Sequence, residues 1–209
     1  MLTLAIQAGG ESRRMGCDKA LLPFLGQPLI LRPLGRLARL ADEVLITSNH
    51  PENYRFLGLT PIPDLLPGLG ALGGLYTALD AASHPYTAVV ACDMPFASLE
   101  LFAVELALLR ETGADAVVPY SDSGMEPFHA IYRAESCLPY IRSALEAGMR
   151  RVDTWFPAVN IHYLSRQESL PYDPTGLAFL NINTHEDLKA AEAIAGEMPA
   201  DEPGKPEEN

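Results

Sequence analysis

Residues 2–19, LTLAIQAGGESRRMGCDK, place a short apolar run directly before a loop with two adjacent glycines. The run from Leu2 to Ala8 is typical of a central strand in a parallel sheet, which is buried on both faces. At Gly9-Gly10 the backbone can turn sharply and approach a ligand closely. In open parallel sheets, ligands bind beyond the carboxyl ends of the strands. This stretch therefore predicts a parallel sheet with a ligand-binding loop after its first strand.

Outward from this loop, the chain alternates between strand-like and helix-like stretches. We predict further strands at residues 44–48, 87–92, 115–119, 128–133, 159–164 and 179–182. We predict helices at residues 28–40, 75–82, 98–112, 139–147, 150–156 and 185–195. Alternation of this kind predicts an α/β fold, a single Rossmann-like doubly wound and mostly parallel sheet with helices on both faces. We expect this domain to span residues 1–196, and residues 197–209 to form an acidic, disordered tail.

The net charge and the cysteine content limit the kinds of binding partner and cellular compartment that fit this chain. The 209 residues carry a formal net charge of −12, so no surplus of cations exists to meet nucleic-acid phosphates or a membrane surface. A small anionic ligand, which needs only a few local cations and backbone N–H groups, remains compatible with this charge. No stretch is long and apolar enough for a membrane span. The cysteines, Cys17, Cys92 and Cys137, form neither a CxxC pair nor a zinc spacing, which favours a reducing cytoplasm.

The loop after the first strand concentrates groups that bind anions. Ser12, Arg13, Arg14 and Lys19 supply donors and positive charge within a few residues of the two glycines. Successive backbone N–H groups of such a loop can form a concave anion site. The loop matches neither GxxxxGK[ST] nor GxGxxG. The alternative is an ordinary strand-to-helix turn with solvated cations.

Two other segments have residues suited to a nucleotide. Asp93 directly follows the predicted strand 87–92, where a carboxylate could hold Mg²⁺ against a triphosphate. The alternative is an aspartate that only caps or turns the chain before Pro95. Asp64 precedes a glycine-rich loop, residues 68–74, which suits close contact with a flat ring but equally suits a plain flexible loop.

The combined motifs resemble one known family. The pattern Ala-Gly-Gly-x-Ser-x-Arg-Met-Gly-x-Asp-Lys, residues 8–19, resembles the nucleotide loop of the molybdenum cofactor guanylyltransferases, within the nucleotidyltransferase superfamily. Residues 92–95, Cys-Asp-Met-Pro, resemble that family's metal motif, and residues 179–188 resemble its C-terminal Asn-Val-Asn-Thr-x-Glu-Asp-Leu. The resemblance covers about residues 2–195 and implies the fold of the nucleotide-diphospho-sugar transferases. Asp18 before Lys19 favours the molybdenum branch over the cytidylyl branch.

The resemblance implies a reaction. GMP would pass from GTP to the terminal phosphate of Mo-molybdopterin, and pyrophosphate would leave. The implied catalytic residues are Lys19, Arg13, Arg14 and Asp93. Lys19, together with Arg13 or Arg14, would stabilise the leaving pyrophosphate, and Asp93 would ligate Mg²⁺. No general base is required, because a phosphate nucleophile is already ionised at neutral pH.

The resemblance also implies a set of residues that bind GTP. Backbone groups of the first loop would contact the nucleotide, Asp64 would face the guanosine, and Thr47 and Asn49 would contact the nucleoside. The full implied set is Gln7, Ala8, Gly9, Gly10, Lys19, Thr47, Asn49, Asp64, Gly70 and Asp93. Gln7 stands where this family usually has Leu, and Ala71 stands where its guanine loop often has Pro.

Several questions stay open at the level of sequence. The nearest rival function is a related nucleotidyltransferase that uses CTP on molybdopterin or a nucleotide on a sugar phosphate. A different class would be a GTP-binding carrier that conveys the cofactor without catalysis, and cofactor-delivery proteins and molybdoenzymes are possible partners. His129 is interpreted as structural, with a pterin contact as the alternative. Arg150 and Arg151 could meet the pterin phosphate or lie on a solvated surface.

Overall fold

The computed structural model describes residues 1–8 and 18–198. In these residues the chain forms a seven-stranded sheet and a separate two-stranded hairpin. The strands are β1 (Leu2–Gln7), β2 (Pro23–Phe24), β3 (Gln27–Pro28), β4 (Glu43–Thr47), β5 (Tyr86–Ala91), β6 (Ala116–Ser121), β7 (Gly124–Met125), β8 (His129–Arg133) and β9 (Ile161–Leu164). The α-helices are α1 (Leu31–Leu37), α2 (Gly70–Ala81), α3 (Leu99–Thr112), α4 (Ala134–Glu146), α5 (Arg166–Ser169) and α6 (His185–Glu197).

The large sheet is mostly parallel, as the sequence predicts. Its strand order is β4-β1-β5-β8-β6-β7, and β9 pairs with β6. Strand β1 is parallel to both β4 and β5, and β9 is parallel to β6. Strand β8 is antiparallel to β5 and β6, so β6 runs in the same direction as β5. The carboxyl ends of β4, β1, β5 and β6 therefore meet at one edge of the sheet.

Helices cover both faces of this sheet because side chains alternate along each strand. Leu2, Leu4 and Ile6 of β1 pack into a core that includes side chains of α1 and α3. Ala5 faces the other way, into a core that includes side chains of α2 and α4. A smaller cluster joins α6 to the β2–β3 hairpin. Strand β1 is thus buried on both sides, which explains its nearly continuous apolar sequence.

Three predicted helix ends are confirmed by their caps. The Ser98 side chain accepts a hydrogen bond from the backbone N–H of Leu101, and α3 ends at Gly113 in the left-handed region with φ of +68°. Thr184 and Asp187 form a capping box at the start of α6. Helix α6 ends at Glu197, and residues 199–209 lie outside the described residues. The acidic tail therefore stays a prediction.

The start of α2 differs from the prediction. The sequence predicts a loop through Gly74, but the helix begins at Gly70. Glycine favours helices poorly, by about 1 kcal/mol relative to alanine, yet tertiary packing overrides this propensity. Gly73 and Gly74 are buried, and a methyl group at Gly74 would lie 3.2 Å from Oε1 of Gln7. The glycines therefore allow α2 to pack closely against the end of β1.

Two other short predictions are wrong. Residues 150–155 form no helix: residues 152–155 form turns, in which the Arg151 side chain bonds to Asp153, and only Phe156 enters a helical segment, the short 3₁₀ segment Phe156–Ala158. Residues 179–182 form no strand. There the Asn181 side chain donates to the carbonyl oxygen of Phe179, so a local bond occupies a group that a sheet would use.

No helix among residues 1–8 and 18–198 is long and apolar enough to cross a membrane.

The close packing of α2 gives a first testable expectation. In Gly73→Ala the new Cβ would lie 2.9 Å from Cβ of Leu69 and 3.3 Å from the carbonyl oxygen of Leu66. We expect a loss of about 1–3 kcal/mol in the free energy of unfolding, the usual cost of overpacking. In the matched control Gly35→Ala, the exposed helical position has no atom within 4 Å of the new Cβ. That variant should gain about 0.5–1 kcal/mol. Urea unfolding measures both, and equal effects of the two substitutions would contradict this account.

Candidate active site

The candidate site lies where β4, β1 and β5 end. Ala8 follows β1, Asn49 follows β4 by two residues, and Asp93 follows β5 by two residues. The backbone N–H of Ala8 donates to the carbonyl oxygen of Thr47 at 2.9 Å, and the N–H of Cys92 donates to the carbonyl oxygen of Gln7 at 3.0 Å. These bonds hold the three strand ends side by side. The arrangement is the usual position for a ligand in an open parallel sheet.

A cation and a carboxylate meet at the centre of this edge. Nζ of Lys19 lies 3.0 Å from Oδ2 of Asp93, with the two side chains 19% and 16% exposed. Nζ of Lys19 also donates to Oδ1 of Asn183 at 2.8 Å. The low exposure limits screening by solvent, so this pair interacts more strongly than a surface salt bridge. The structure therefore brings together two residues that the sequence places 74 positions apart.

Asn183 is a functional candidate that the sequence analysis did not assign. Two features hold it in place. Its backbone N–H donates to Oδ2 of Asp187, within the N-terminal cap of α6. The N–H of Ile182 donates to the carbonyl oxygen of Asp93 at 3.0 Å. The resemblance of residues 179–188 to the family's C-terminal motif was the available signal, but only the fold shows that α6 starts beside Asp93.

A second pair of polar side chains lies at the end of β4. Nδ2 of Asn49 donates to Oδ2 of Asp64 at 2.8 Å, and the backbone N–H of Asp64 donates to Oδ1 of Asn49 at 3.0 Å. Ile62 forms a bridge with Thr47, which brings the chain back beside β4 and places Asp64 there. Thr47 is only 1% exposed, so little of it is open to a ligand in this arrangement. The structure thus brings Asn49 and Asp64 together, as expected. Thr47 takes part in this region mainly through its backbone, whose carbonyl oxygen accepts from the N–H of Ala8.

Two other expected residues lie at the start of α2 and at the end of β1. Gly70 is the first residue of α2, with φ of +65°, and it is exposed. Gln7 is 8% exposed, and its side chain packs against Gly74 of α2. The Gln7 side chain therefore contacts α2. Its backbone lies at the end of β1, where its carbonyl oxygen accepts from the N–H of Cys92. Gly9, Gly10, Arg13 and Arg14 lie outside the described residues.

The described residues contain no metal site that is formed by protein side chains alone. Among residues 1–8 and 18–198, no group of three or more His, Cys, Asp or Glu side chains could together hold a metal ion. Magnesium is usually bound by one or two carboxylates together with substrate phosphates and water. A single carboxylate, Asp93, set in a partly buried position beside Lys19, fits a magnesium ion that arrives with a phosphate ligand.

His129 is buried within the fold, away from solvent. It is 0% exposed, and its ring stacks on Phe102 with centroids 4.0 Å apart. Nε2 accepts a hydrogen bond from the N–H of Ser98, and Nδ1 lies 3.1 Å from Oε1 of Glu105. Burial lowers the pKa of His129 to about 3 and raises the pKa of Glu105. A neutral, enclosed ring agrees with the structural interpretation.

The two arginines of the 150–156 segment have local contacts. Arg151 forms a two-pronged salt bridge with Asp153, at 3.1 Å from Nε and 2.8 Å from Nη2. Arg150 donates to the carbonyl oxygen of its neighbour Met149. Arg151 is 82% exposed, so its salt bridge is largely solvated. Nothing in these contacts directs either side chain toward Asp93.

Comparisons with known proteins agree on one family. The sequence profile of the MobA-like NTP transferase domain matches residues 4–159. The chain is 37% identical over 193 residues to a probable molybdenum cofactor guanylyltransferase of Pelotomaculum thermopropionicum, covering 92% of this chain and 93% of that protein. It is 33% identical to a molybdenum cofactor guanylyltransferase of Syntrophotalea carbinolica, covering 88% of this chain and 87% of that protein.

A solved structure shows the same fold. The crystal structure of molybdopterin-guanine dinucleotide biosynthesis protein A from Archaeoglobus fulgidus superposes with a TM-score of 0.82 at 28% identity. The match covers 94% of this chain and 100% of the other. The structural similarity therefore extends over almost the whole of both chains.

Proposed function

The chain belongs to the MobA-like NTP transferase family, and from this we propose that it transfers GMP from GTP to the terminal phosphate of Mo-molybdopterin. Pyrophosphate is released, and the product is molybdopterin guanine dinucleotide. Membership of the family makes the chain a nucleotidyltransferase of molybdenum cofactor biosynthesis. The choice of GTP, the use of Mg²⁺ and the assignment of residues are parts of the proposal.

One observation carries this proposal: the order of polar groups along the edge of the sheet at which the parallel strands end. Asn49 and Asp64 lie at the end of β4, and Lys19, Asp93 and Asn183 lie on the β5 side of β1. Strands β4 and β5 flank β1, so their ends are about 10 Å apart by ordinary strand spacing. A nucleotide lying across β1 would place its nucleoside at Asn49 and Asp64 and its phosphates at Lys19.

The base would be read at the β4 end. Guanine presents an N1–H and an exocyclic amino group, both hydrogen-bond donors, which a carboxylate such as Asp64 can accept. The side-chain amide of Asn49 donates to Oδ2 of Asp64 and so orients the carboxylate. Gly70 opens α2 with no side chain above it, which leaves room for a flat ring to approach the backbone.

The chemistry requires positioning and charge stabilisation rather than a covalent enzyme intermediate. A terminal phosphate oxygen of the acceptor attacks the α-phosphorus of GTP, and the bond from that phosphorus to the pyrophosphate oxygen breaks. Lys19, with Arg13 and Arg14, would stabilise the negative charge that grows on the leaving pyrophosphate. Asp93 would hold Mg²⁺, which when bound supplies positive charge shared among phosphate oxygens. Lys19 would then exchange part of its contact with Asp93 for contact with phosphate.

The test is pyrophosphate release from GTP, CTP and ATP, each with Mg²⁺ and molybdate-loaded molybdopterin. We expect release with GTP alone, and loss of release when EDTA is added. Release with CTP instead would overturn the guanine assignment of Asp64 and Gly70. Tight GTP binding without release from any of the three would favour a cofactor carrier, or an enzyme that needs a delivery protein.

The proposal also has consequences outside the catalytic step. Cofactor-delivery proteins and molybdoenzymes are the partners that fit this reaction, because they would supply the acceptor and receive the product. The absence of a CxxC pair or zinc spacing among three dispersed cysteines is consistent with a cytoplasmic location.

A further inference from the structure

Tyr54 is a buried residue whose hydroxyl contacts Asp18, next to the candidate site. It lies in the 3₁₀ segment Pro51–Leu57, which follows β4, and it is 0% exposed. Its hydroxyl donates to Oδ2 of Asp18 at 2.6 Å, and it lies 3.4 Å from the carbonyl oxygen of Ala8. Ala8 directly follows β1, and Asp18 directly precedes Lys19. One hydroxyl therefore touches both residues that flank residues 9–17.

Asp18 in turn orients the segment that carries Lys19. Its second oxygen, Oδ1, accepts from the backbone N–H of Ala20 and caps the 3₁₀ segment Lys19–Leu21. Asp18 thus uses one carboxylate oxygen to hold this segment and the other to bind Tyr54. The Lys19 side chain then extends from this fixed backbone to Asp93 and Asn183.

The hydroxyl of Tyr54 is a constant donor. Burial, and then the hydrogen bond to Asp18, raise the pKa of Tyr54 well above its usual value. The phenol therefore keeps its proton at neutral pH. A hydrogen bond from a neutral donor to an ionised carboxylate is stronger than one between neutral groups.

We propose that Tyr54 is a positioning residue for the triphosphate, because its hydrogen bond to Asp18 fixes Asp18 and so sets where the Lys19 ammonium meets phosphate oxygens. This inference rests on the proposed role of Lys19 and deepens it. Tyr54 touches no reacting atom and acts only through Asp18. Its influence should therefore appear in the binding of the triphosphate and not in the binding of the nucleoside.

The experiment compares GTP and guanosine binding by titration calorimetry in the presence of Mg²⁺. We expect Tyr54→Phe to weaken GTP binding about tenfold, the scale of one charge-assisted hydrogen bond, and to leave guanosine binding unchanged. Tyr132→Phe is a matched control, since Tyr132 is also 0% exposed and donates its hydroxyl to the carbonyl oxygen of Pro127 at 2.7 Å. That variant should bind both ligands as the wild type does. Thermal melting confirms that each variant is folded.

A double variant tests whether Tyr54 acts through Asp18. Tyr54→Phe combined with Asp18→Ala should bind GTP no more weakly than Asp18→Ala alone, because both changes break the same connection. Additive losses would overturn the proposal. Wild-type GTP affinity in Tyr54→Phe, an equal loss for guanosine, or the same loss in Tyr132→Phe would also overturn it.

The proposal for Tyr54 and the proposal of GTP as substrate fail in different ways. If the wild type binds CTP or ATP in preference to GTP, the guanine assignment fails, and the same comparison of triphosphate with nucleoside still tests Tyr54. If the preferred triphosphate binds equally well to the wild type and to Tyr54→Phe, the Tyr54 proposal fails while the substrate is identified. A wild type that binds no triphosphate overturns both.

Discussion

An Asp93→Ala variant should transfer nucleotide at least about 100-fold more slowly than the wild type, the scale of removing one key electrostatic group. Asp93 is the only carboxylate among the described residues that contacts Lys19, and its removal takes away the proposed ligand for Mg²⁺. The phosphates of donor and acceptor would then repel each other with less compensation. Initial rates of pyrophosphate release at saturating GTP measure the effect.

Asp122→Ala is the control for Asp93. Asp122 follows β6 at the same edge of the sheet, with its side chain 86% exposed and 3.3 Å from Nε of Arg166. Its removal changes the net charge by the same amount, so its rate should stay close to that of the wild type. If a folded Asp93→Ala protein keeps near-normal turnover, Asp93 is not the metal ligand.

A Lys19→Ala variant should lose a comparable factor, about 100-fold or more in turnover, with weaker GTP binding. The ammonium would stabilise the leaving pyrophosphate, and alanine supplies no charge there. The loss should depend little on ionic strength, because the Lys19 side chain is only 19% exposed. Steady-state kinetics with GTP as the varied substrate separate the effect on turnover from the effect on KM.

Lys189→Ala is the matched change for Lys19. Lys189 lies on the exposed side of α6, and its loss alters the net charge equally. Unchanged kinetics in that variant would assign the effect to the position of Lys19. A Lys19→Ala enzyme with normal turnover and normal GTP affinity would show that the lysine only stabilises the fold through Asp93 and Asn183.

Much of the site could be anticipated because its chemistry follows strand ends. Asp93, Asn49 and the loop before Lys19 each come directly after a buried strand, and parallel strands bring their carboxyl ends to one edge. Asp64 was also predicted, although its position depends on the bridge between Thr47 and Ile62. The roles of these residues remain proposals that the variants above test.

Other features could not be predicted because they depend on packing. The glycines at 73 and 74 indicated a loop by local propensity, yet both are buried within α2, and Gly74 lies against the Gln7 side chain at the end of β1. The direction of β8 was also undetermined, since a buried strand has the same apolar pattern in either direction. Residues 179–182 were apolar enough for a strand, but a side-chain bond from Asn181 competes with sheet pairing.

The sequence by itself determined the family, the alternation of strands and helices, and the residue types at the strand ends. These are local properties: apolar runs, caps and short motifs can be recognised within ten or fifteen residues. Only the tertiary structure decided that Lys19 meets Asp93 and Asn183, which lie 74 and 164 positions away along the chain, and that Tyr54 supports Asp18 from beneath. Contacts at such separations are set by how the sheet and helices pack together, and no local pattern of residues encodes that packing.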